Sequence, residues 1–363
     1  MASCTNWAAH KLVHAWLLAA LLVTLLTLSP SLSAPACGVL ATVEHPVEAG
    51  RPLRLLVVGD WGRKGRYNQS RVAQQMGKVA EAMNNIDFVV STGDNFLDDG
   101  LASVDDRAFH ESFVDVYTAE SLRKQWYLVL GNHDYRGDVL AQIDPALRSI
   151  DSRFFCMRSF VVKAGTVDFF FVDTTPFQLK YWTDPGEDHY DWREVAPREA
   201  YIEHLLETRR YNYLDTLGIR LNSGSATELT WKVAVGHHTM RSVSAHGDTQ
   251  ELLQLLLPVL KDNGVDLYIN GHDHCLEHIS SRDSPIQYLT SGAGSKAWRG
   301  IFQPNEDKLE FFYDGQGFMS LEVDAGLAHA VFYDIDGQAL HNRSLSKSNR
   351  QHVDQAPSLV SQE

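Results

Sequence analysis

From Leu53 to Asp334 the chain repeats one pattern: a short apolar run, then an abrupt turn into Gly, Asp, Asn or His. Leu55–Val58 is apolar throughout and ends in Gly59-Asp60, which predicts a strand buried on both faces. Phe88–Ser91 leads in the same way to Gly93-Asp94, and Trp126–Leu130 to Gly131-Asn132. Lys232–Val235 leads to Gly236-His237, and Leu267–Ile269 to Asn270-Gly271-His272. Between the first two strands, Val72–Met83 has the apolar spacing of a helix. Phe154–Val162 and Val167–Val172 read as a hairpin turning at Ala164-Gly165. Pro197 predicts the first turn of a helix reaching about Leu217, before a polar Ser/Gly loop at Leu221–Thr227. Asp248 and Glu251 have capping-box spacing for a helix over Glu251–Leu260, with a kink at Pro258. Ile286–Thr290 is followed by a loop, Ser291–Gly300, and then by the strand-like segments Leu309–Tyr313, Phe318–Val323 and Ala328–Asp334. From Ser344 the chain is polar and is expected to fray.

No low-complexity linker or short repeat interrupts residues 50–340, so they read as one catalytic domain, with 345–363 a polar tail. Strands alternate with helices early and dominate late, which predicts an α/β protein of two packed sheets flanked by helices. The first 34 residues differ. Lys11 precedes an uncharged, largely apolar run from Trp16 to Leu28, and small residues follow at Ser33, Ala34 and Ala36. That order reads as a signal peptide, residues 1–34. The run is shorter than the ~20 residues of a membrane-spanning helix, so no stable membrane insertion is expected. The implied address is the secretory pathway, ending outside the cell, in the cell wall or in a vacuole.

The net charge is −14, and loss of Lys11 with the leader makes the mature chain more acidic still. Nucleic acid is an unsuitable partner for such a surface, because phosphate backbones select Lys and Arg. Cys37, Cys156 and Cys275 remain after Cys4 leaves; three thiols leave the pairing open, and their spacing fits no zinc motif. Asn68 and Asn342 open N-x-S sequons and are candidate glycosylation sites on a secreted chain.

The chemistry lies where the apolar runs stop. Asp60, Asp94, Asn132, His237, His272 and His274 each follow a predicted strand closely, and ligands of α/β sheets bind beyond the carboxyl ends of strands. Three oxygen donors and three imidazoles at one edge suit first-row metal ions. His272 and His274 are two apart, on one face of an extended segment, so each could serve a different ion, and Asp94 could bridge the two. Gly59-Asp60-Trp61-Gly62, Gly93-Asp94-Asn95-Phe96, Gly131-Asn132-His133-Asp134, Gly236-His237-His238 and Gly271-His272-Asp273-His274 together resemble the calcineurin-like metallophosphoesterases. Within these they are similar to the small, tartrate-resistant-type purple acid phosphatases of plants. The resemblance spans about Leu53 to Asp334. It implies a four-layer α/β/β/α sandwich of two packed mixed sheets, and hydrolysis of small phosphate monoesters by a two-metal hydroxide mechanism. It further implies that Asp60 and His274 hold a first metal, iron(III) in the family. Asn132, His237 and His272 would hold a second, Zn, Mn or Fe; Asp94 would bridge, and His133 and His246 would face substrate as proton donors. His238 and His278 read as supporting residues.

One position departs from the family pattern Gly-Asp-x-x-Tyr: its tyrosine, an iron ligand and the source of the purple colour, is Leu97 here. Leucine offers no electron pair, which puts iron(III) at the first site in doubt. Gly62 does not supply the histidine of non-purple relatives, so water, Asp98 or Asp99 would have to fill the opening. The leucine leaves three readings besides a mere metal store. They are an acid phosphatase with altered metal preference and no colour, a weakened relative that binds phosphate or a partner, and a phosphodiesterase or pyrophosphatase on the same scaffold. Oligomeric state is not legible.

Overall fold

The structure, a computed structural model, describes residues 40–207, 230–280 and 284–347. The leader, Cys37, the far end of the helix expected after Pro197, the loop Leu221–Thr227 and the tail beyond residue 347 lie outside the described residues. Among the described residues no helix is long and apolar enough to cross a membrane.

Period-two alternation shows how the layers form. On β2 (Leu53–Val58), Leu53, Leu55 and Val57 face one hydrophobic cluster while Leu56 and Val58 face another. A strand with apolar residues on both faces must be covered on both faces. β2 pairs in parallel with β3 (Phe88–Ser91), which continues to β4 (Gln125–Leu128) and β5 (Phe154–Cys156). On its other side β2 pairs antiparallel with β13 (Gly317–Val323), followed by β14 (Leu327–Asp334) and β15 (Ala339–Ser346). These seven strands form one mixed sheet.

The second sheet has eight strands. In spatial order they are β1 (Ala41–Glu44), β6 (Phe160–Ala164), β7 (Val167–Phe171), β8 (Trp231–Val235), β9 (Leu267–Asn270), β11 (Gln287–Ser291), β10 (Leu276–Ser280) and β12 (Lys308–Tyr313). Residues of both sheets make up the central core. Phe88 on β3 meets Phe169 on β7 edge to face at 5.4 Å, and Phe160 stacks on Phe171 at 4.4 Å. The helix Gln69–Ala82 covers the outside of the seven-stranded sheet with Val72, Ala73, Met76 and Ala80, one face at helical spacing. Helical residues 198–207 and 250–262 contribute to the cluster outside the eight-stranded sheet. The result is the four-layer α/β/β/α sandwich that the resemblance implied.

Three local expectations are corrected. The segment Phe154–Val162 is two strands in different sheets, not one arm of a hairpin. The chain leaves the first sheet at Arg158-Ser159, where Ser159 accepts the amide of Asp173 and Arg158 donates to the hydroxyl of Tyr135 at 2.6 Å. The hairpin itself is β6–β7, turning through Gly165 at φ +59°. The capping box does not form: Glu251 accepts from the amide of Leu179 at 3.0 Å, and Asp248 from that of Ser242 at 3.1 Å. The chain does not fray at Ser344, because β15 pairs with β14 as far as Ser346 and Leu340 and Leu345 pack against the central core. Pro258 does disturb its helix. A π-helical turn, Leu252–Leu256, precedes it, the adjustment expected where proline removes a hydrogen-bond donor.

Since Phe169 fills space between the sheets, Phe169→Ala should lower stability by ~3–5 kcal/mol in urea unfolding. A loss under ~1 kcal/mol would show that the inter-sheet core closes around the void.

Candidate metal centre

The loops after β2, β3, β4, β8 and β9 deliver all six expected ligands to one place, and all six are at most 5 % exposed. One oxygen or nitrogen from each of Asp60, Asp94 and His237 lies within 4.8 Å of the others, and the same holds for His237, His238 and His272. His237 Nε2 is 3.1 Å from Asn132 Oδ1, 3.2 Å from His272 Nδ1 and 3.4 Å from Asp94 Oδ1. His274 Nε2 is 3.5 Å from Asp60 Oδ1. The Nδ1–H of His237 donates to the carbonyl of Thr92 at 2.9 Å, which turns Nε2 toward the cluster.

The backbone is bent to achieve this. Asp60, Asp94 and His272 have φ of 58°, 50° and 70°, in the left-handed region that non-glycine residues enter at a cost. Their glycine neighbours mostly supply room. A Cβ on Gly131 would come within 2.1 Å of Asp94 Oδ1, and one on Gly271 within 2.4 Å of Asp60 Oδ2. Only Gly93, at φ +95°, takes the left-handed region itself among the glycines of the five blocks.

Two buried polar atoms of the cluster, Asp60 Oδ1 and His274 Nδ1, have no hydrogen-bond partner. Burial lifts the Asp60 carboxyl above its ordinary range, and His274 and His237 only partly offset it. Burial also presses on Asp94, but His237, His133 and the His133 amide outweigh it and hold that carboxyl well below the usual range. His272 is held well below its ordinary value by burial and by its histidine neighbours, so it presents a neutral ring. Buried carboxylates, imidazoles and an amide oxygen facing one another, with orphaned atoms among them and, against the pull of burial, the basicity of His237 raised to about 9 by the Asp94 carboxylate, fit a bound cation.

The calcineurin-like phosphoesterase family matches residues 53–276. Purple acid phosphatase 4 of Arabidopsis thaliana is 53% identical over 89% of this chain and 91% of its own length. The chain belongs to the purple acid phosphatases. A purple acid phosphatase from yellow lupin seeds superposes with a TM-score of 0.55 at 15% identity, over 85% of this chain and 57% of its own. GAP50, the anchor in the inner membrane complex of Plasmodium, does so at 0.64 and 22% identity, over 83% and 90%. Both share the fold. The protein is thus an acid phosphatase, and its family implies a binuclear metal centre, toward which these aspartates and histidines point.

In this purple acid phosphatase, His133 and His246 flank a cleft of about 350 Å³ floored by Asp94, Asn132, His272 and His274. The amide of His133 donates to Asp94 Oδ1 at 2.9 Å, and its Nε2 is 3.8 Å from Asp94 Oδ2. The ring of His246 stacks on His272 with centroids 3.9 Å apart. His238 supports the cluster: its nitrogens meet Thr174 Oγ1 at 3.0 Å and Tyr181 OH at 3.3 Å. His278 is remote in role, bonded to Gln287 at 2.9 Å and facing His341 at 3.1 Å. Leu97 is half-buried and its amide donates to Gly62. Asp98 does not turn inward: its carboxylate pairs with Arg63 at 2.6 Å, and its carbonyl contacts His133 Nδ1. Asp99 is exposed. Cys156 and Cys275 are buried free thiols. Asn342 is exposed on the edge strand β15, whereas Asn68 is half-buried at the start of a helix.

The sequence reading missed the buried acids that hold the loops together. Asp134 accepts the amides of Gly131, Asn95 and Phe96 at 2.8–3.1 Å, tying the Asp94 loop to the Asn132 loop. Asp273 accepts the His246 amide at 2.9 Å and the Ser242 hydroxyl at 2.6 Å, and Glu277 accepts the Val243 amide at 2.8 Å. Trp298, stacked on His274 at 4.1 Å, was missed as well. The first two acids lay inside quoted motifs; Glu277 and Trp298 had no signal beyond a polar residue in a strand and an aromatic in a loop.

Glu277 also makes a pH dependence. It is 1% exposed, and burial raises its carboxyl from about 4.5 to about 8. A carboxyl raised in the fold binds its proton more tightly there, so its contribution is complete below the ordinary value and is lost as pH climbs through about 8. Stability to urea should fall by ~2–4 kcal/mol between pH 5 and pH 8. Glu277→Gln should flatten that fall; an unaltered slope would assign it to other groups.

Proposed function

We propose that residues 50–340 form the catalytic domain of a secreted phosphomonoesterase, and that the six clustered side chains hold two metal ions. The observation that carries this reading is the convergence of Asp60, Asp94, Asn132, His237, His272 and His274, with the buried Asp60 Oδ1 and His274 Nδ1 lacking hydrogen-bond partners among the described residues. Asp60 and His274 would hold one ion, Asn132, His237 and His272 the other, and Asp94 would lie between. When bound, such a pair activates water near neutral or acid pH and neutralises charge on the attacking and leaving oxygens. The protein's own groups then bind and orient. His133 and His246, at the walls of the cleft, hold the phosphoryl group and offer a proton to the leaving oxygen. A guanidinium nitrogen of Arg136 lies 3.1 Å from His133 Nδ1, against that ring. The leader 1–34 would direct the chain to the secretory pathway, and Asn342, being exposed, is the better placed of the two glycan acceptors.

The first position keeps Asp60, Asp94 and His274 but gains nothing from Leu97 or from Asp98, which is spent on Arg63. The reading therefore favours an uncoloured enzyme with a changed metal preference over one that demands iron(III). Protein stripped by a chelator should lose its turnover of phenyl phosphate and regain it, with about two metal equivalents per chain, on reconstitution. Fully loaded protein inert toward phenyl phosphate from about pH 4 to pH 8 would overturn the proposal.

Loaded with iron(III), the native chain should show no visible phenolate-to-iron band, and Leu97→Tyr should create one. A band of equal strength in both proteins would mean that a different tyrosine serves as ligand.

A further inference from the structure

Two cationic side chains line the wall of the cleft, Arg136 and Lys180. Arg136 is engaged: it pairs with Asp188 at 2.8 Å and lies against the His133 ring. Lys180 makes no ion pair among the described residues, and its ammonium lies 5.1 Å from the centre of the Tyr181 ring. Its backbone is nonetheless firmly seated. The neighbouring Tyr181 is 8% exposed and its hydroxyl reaches His238 Nε2, which sits beside His272 with ring centroids 4.4 Å apart. Tyr181 stacks on Tyr190 at 4.8 Å, Tyr190 on Trp192 at 5.5 Å, and Trp192 on Trp182 at 3.8 Å. On the other side Leu179 is tied to Glu251. Burial lowers the basicity of His246, and the Lys180 charge adds to that lowering from across the cleft. Asp184 lines the same wall and opposes it, while the charge of Asp188 is met by Arg136.

A lysine on a rigid base beside the reacting centre, with no carboxylate of its own, is a site for an anion that the substrate brings. We infer that Lys180 binds a second negative group on the leaving-group side of the substrate. The site would thereby favour phosphate compounds whose departing half is itself anionic, above all a second phosphoryl group. The inference rests on the phosphohydrolase reading of the site. With pyrophosphate as such a substrate, water oxygen bonds to one phosphorus and the bridging P–O bond breaks. The bond pair stays on the departing phosphate, whose oxygen takes one proton, and nothing is oxidised or reduced. Lys180 would offset the additional charge of that departing phosphate, a load that a phenol does not carry.

The test uses the full metal-loaded chain with inorganic pyrophosphate and phenyl phosphate. Lys180→Met should lower the ratio of kcat/KM for pyrophosphate over phenyl phosphate about tenfold, mainly through KM, and Lys180→Arg should restore most of it. An unchanged ratio, or native protein that cleaves phenyl phosphate but not pyrophosphate, overturns the anion subsite while leaving the phosphomonoesterase reading intact. Native protein that cleaves neither overturns both.

Discussion

The structure is organised around one costly arrangement: two buried carboxylates, three buried imidazoles and one carboxamide at the ends of five strands, close enough to interact strongly. Taking ionised groups out of water is expensive unless each is paired or binds a cation. Here the pairing is incomplete, since among the described residues Asp60 Oδ1 and His274 Nδ1 lack hydrogen-bond partners and Asp60 Oδ1 has only the 3.5 Å ion-pair contact with His274 Nε2. Three of the ligand residues also sit in left-handed backbone. Strain and unmet charge at one point have to be supported by the surrounding fold. The support is visible in the two sheets clamped by an aromatic core and in the buried acids that bind loop to loop.

Those acids divide the labour. Asp134 joins the loops after β3 and β4, so Asp94 and Asn132 move as one piece. Asp273 and Glu277 hold the segment that seats His246 over His272. Burial raises Asp134 and Asp273 to about 6 and Glu277 to about 8. Carboxyls of this kind keep their protons in mildly acidic surroundings, so the fold is favoured where an acid phosphatase works.

Much of this was legible in the sequence, for a physical reason. Strands covered on both faces must be apolar throughout, so the polar residue that ends each run stands out, and the six side chains that converge here were picked out in that way. The layer architecture followed from the same runs together with the resemblance. What stayed hidden depends on contacts distant in sequence. Nothing in Phe154–Val162 marks the crossing between sheets except Arg158 and Ser159, whose partners Tyr135 and Asp173 come from other elements. The polar look of β15 conceals Leu340 and Leu345, which pack only because β14 is beside them. Glu251 had the spacing of a cap but was claimed by Leu179.

Leu97 shows how a site can lose a ligand without losing its frame. Its amide still bonds to Gly62, and Asp94, three residues earlier, keeps its place because the His133 amide and the neighbouring histidines hold it there. The frame of the loop therefore does not depend on the side chain at position 97, and on the proposed reading that side chain would bear on which ion the first position prefers. On the far wall, Lys180 is set by an aromatic stack and by His238. On the proposed readings, metal choice and leaving-group choice would rest on separate loops around a common floor of strand ends, so that either could change without dismantling the other.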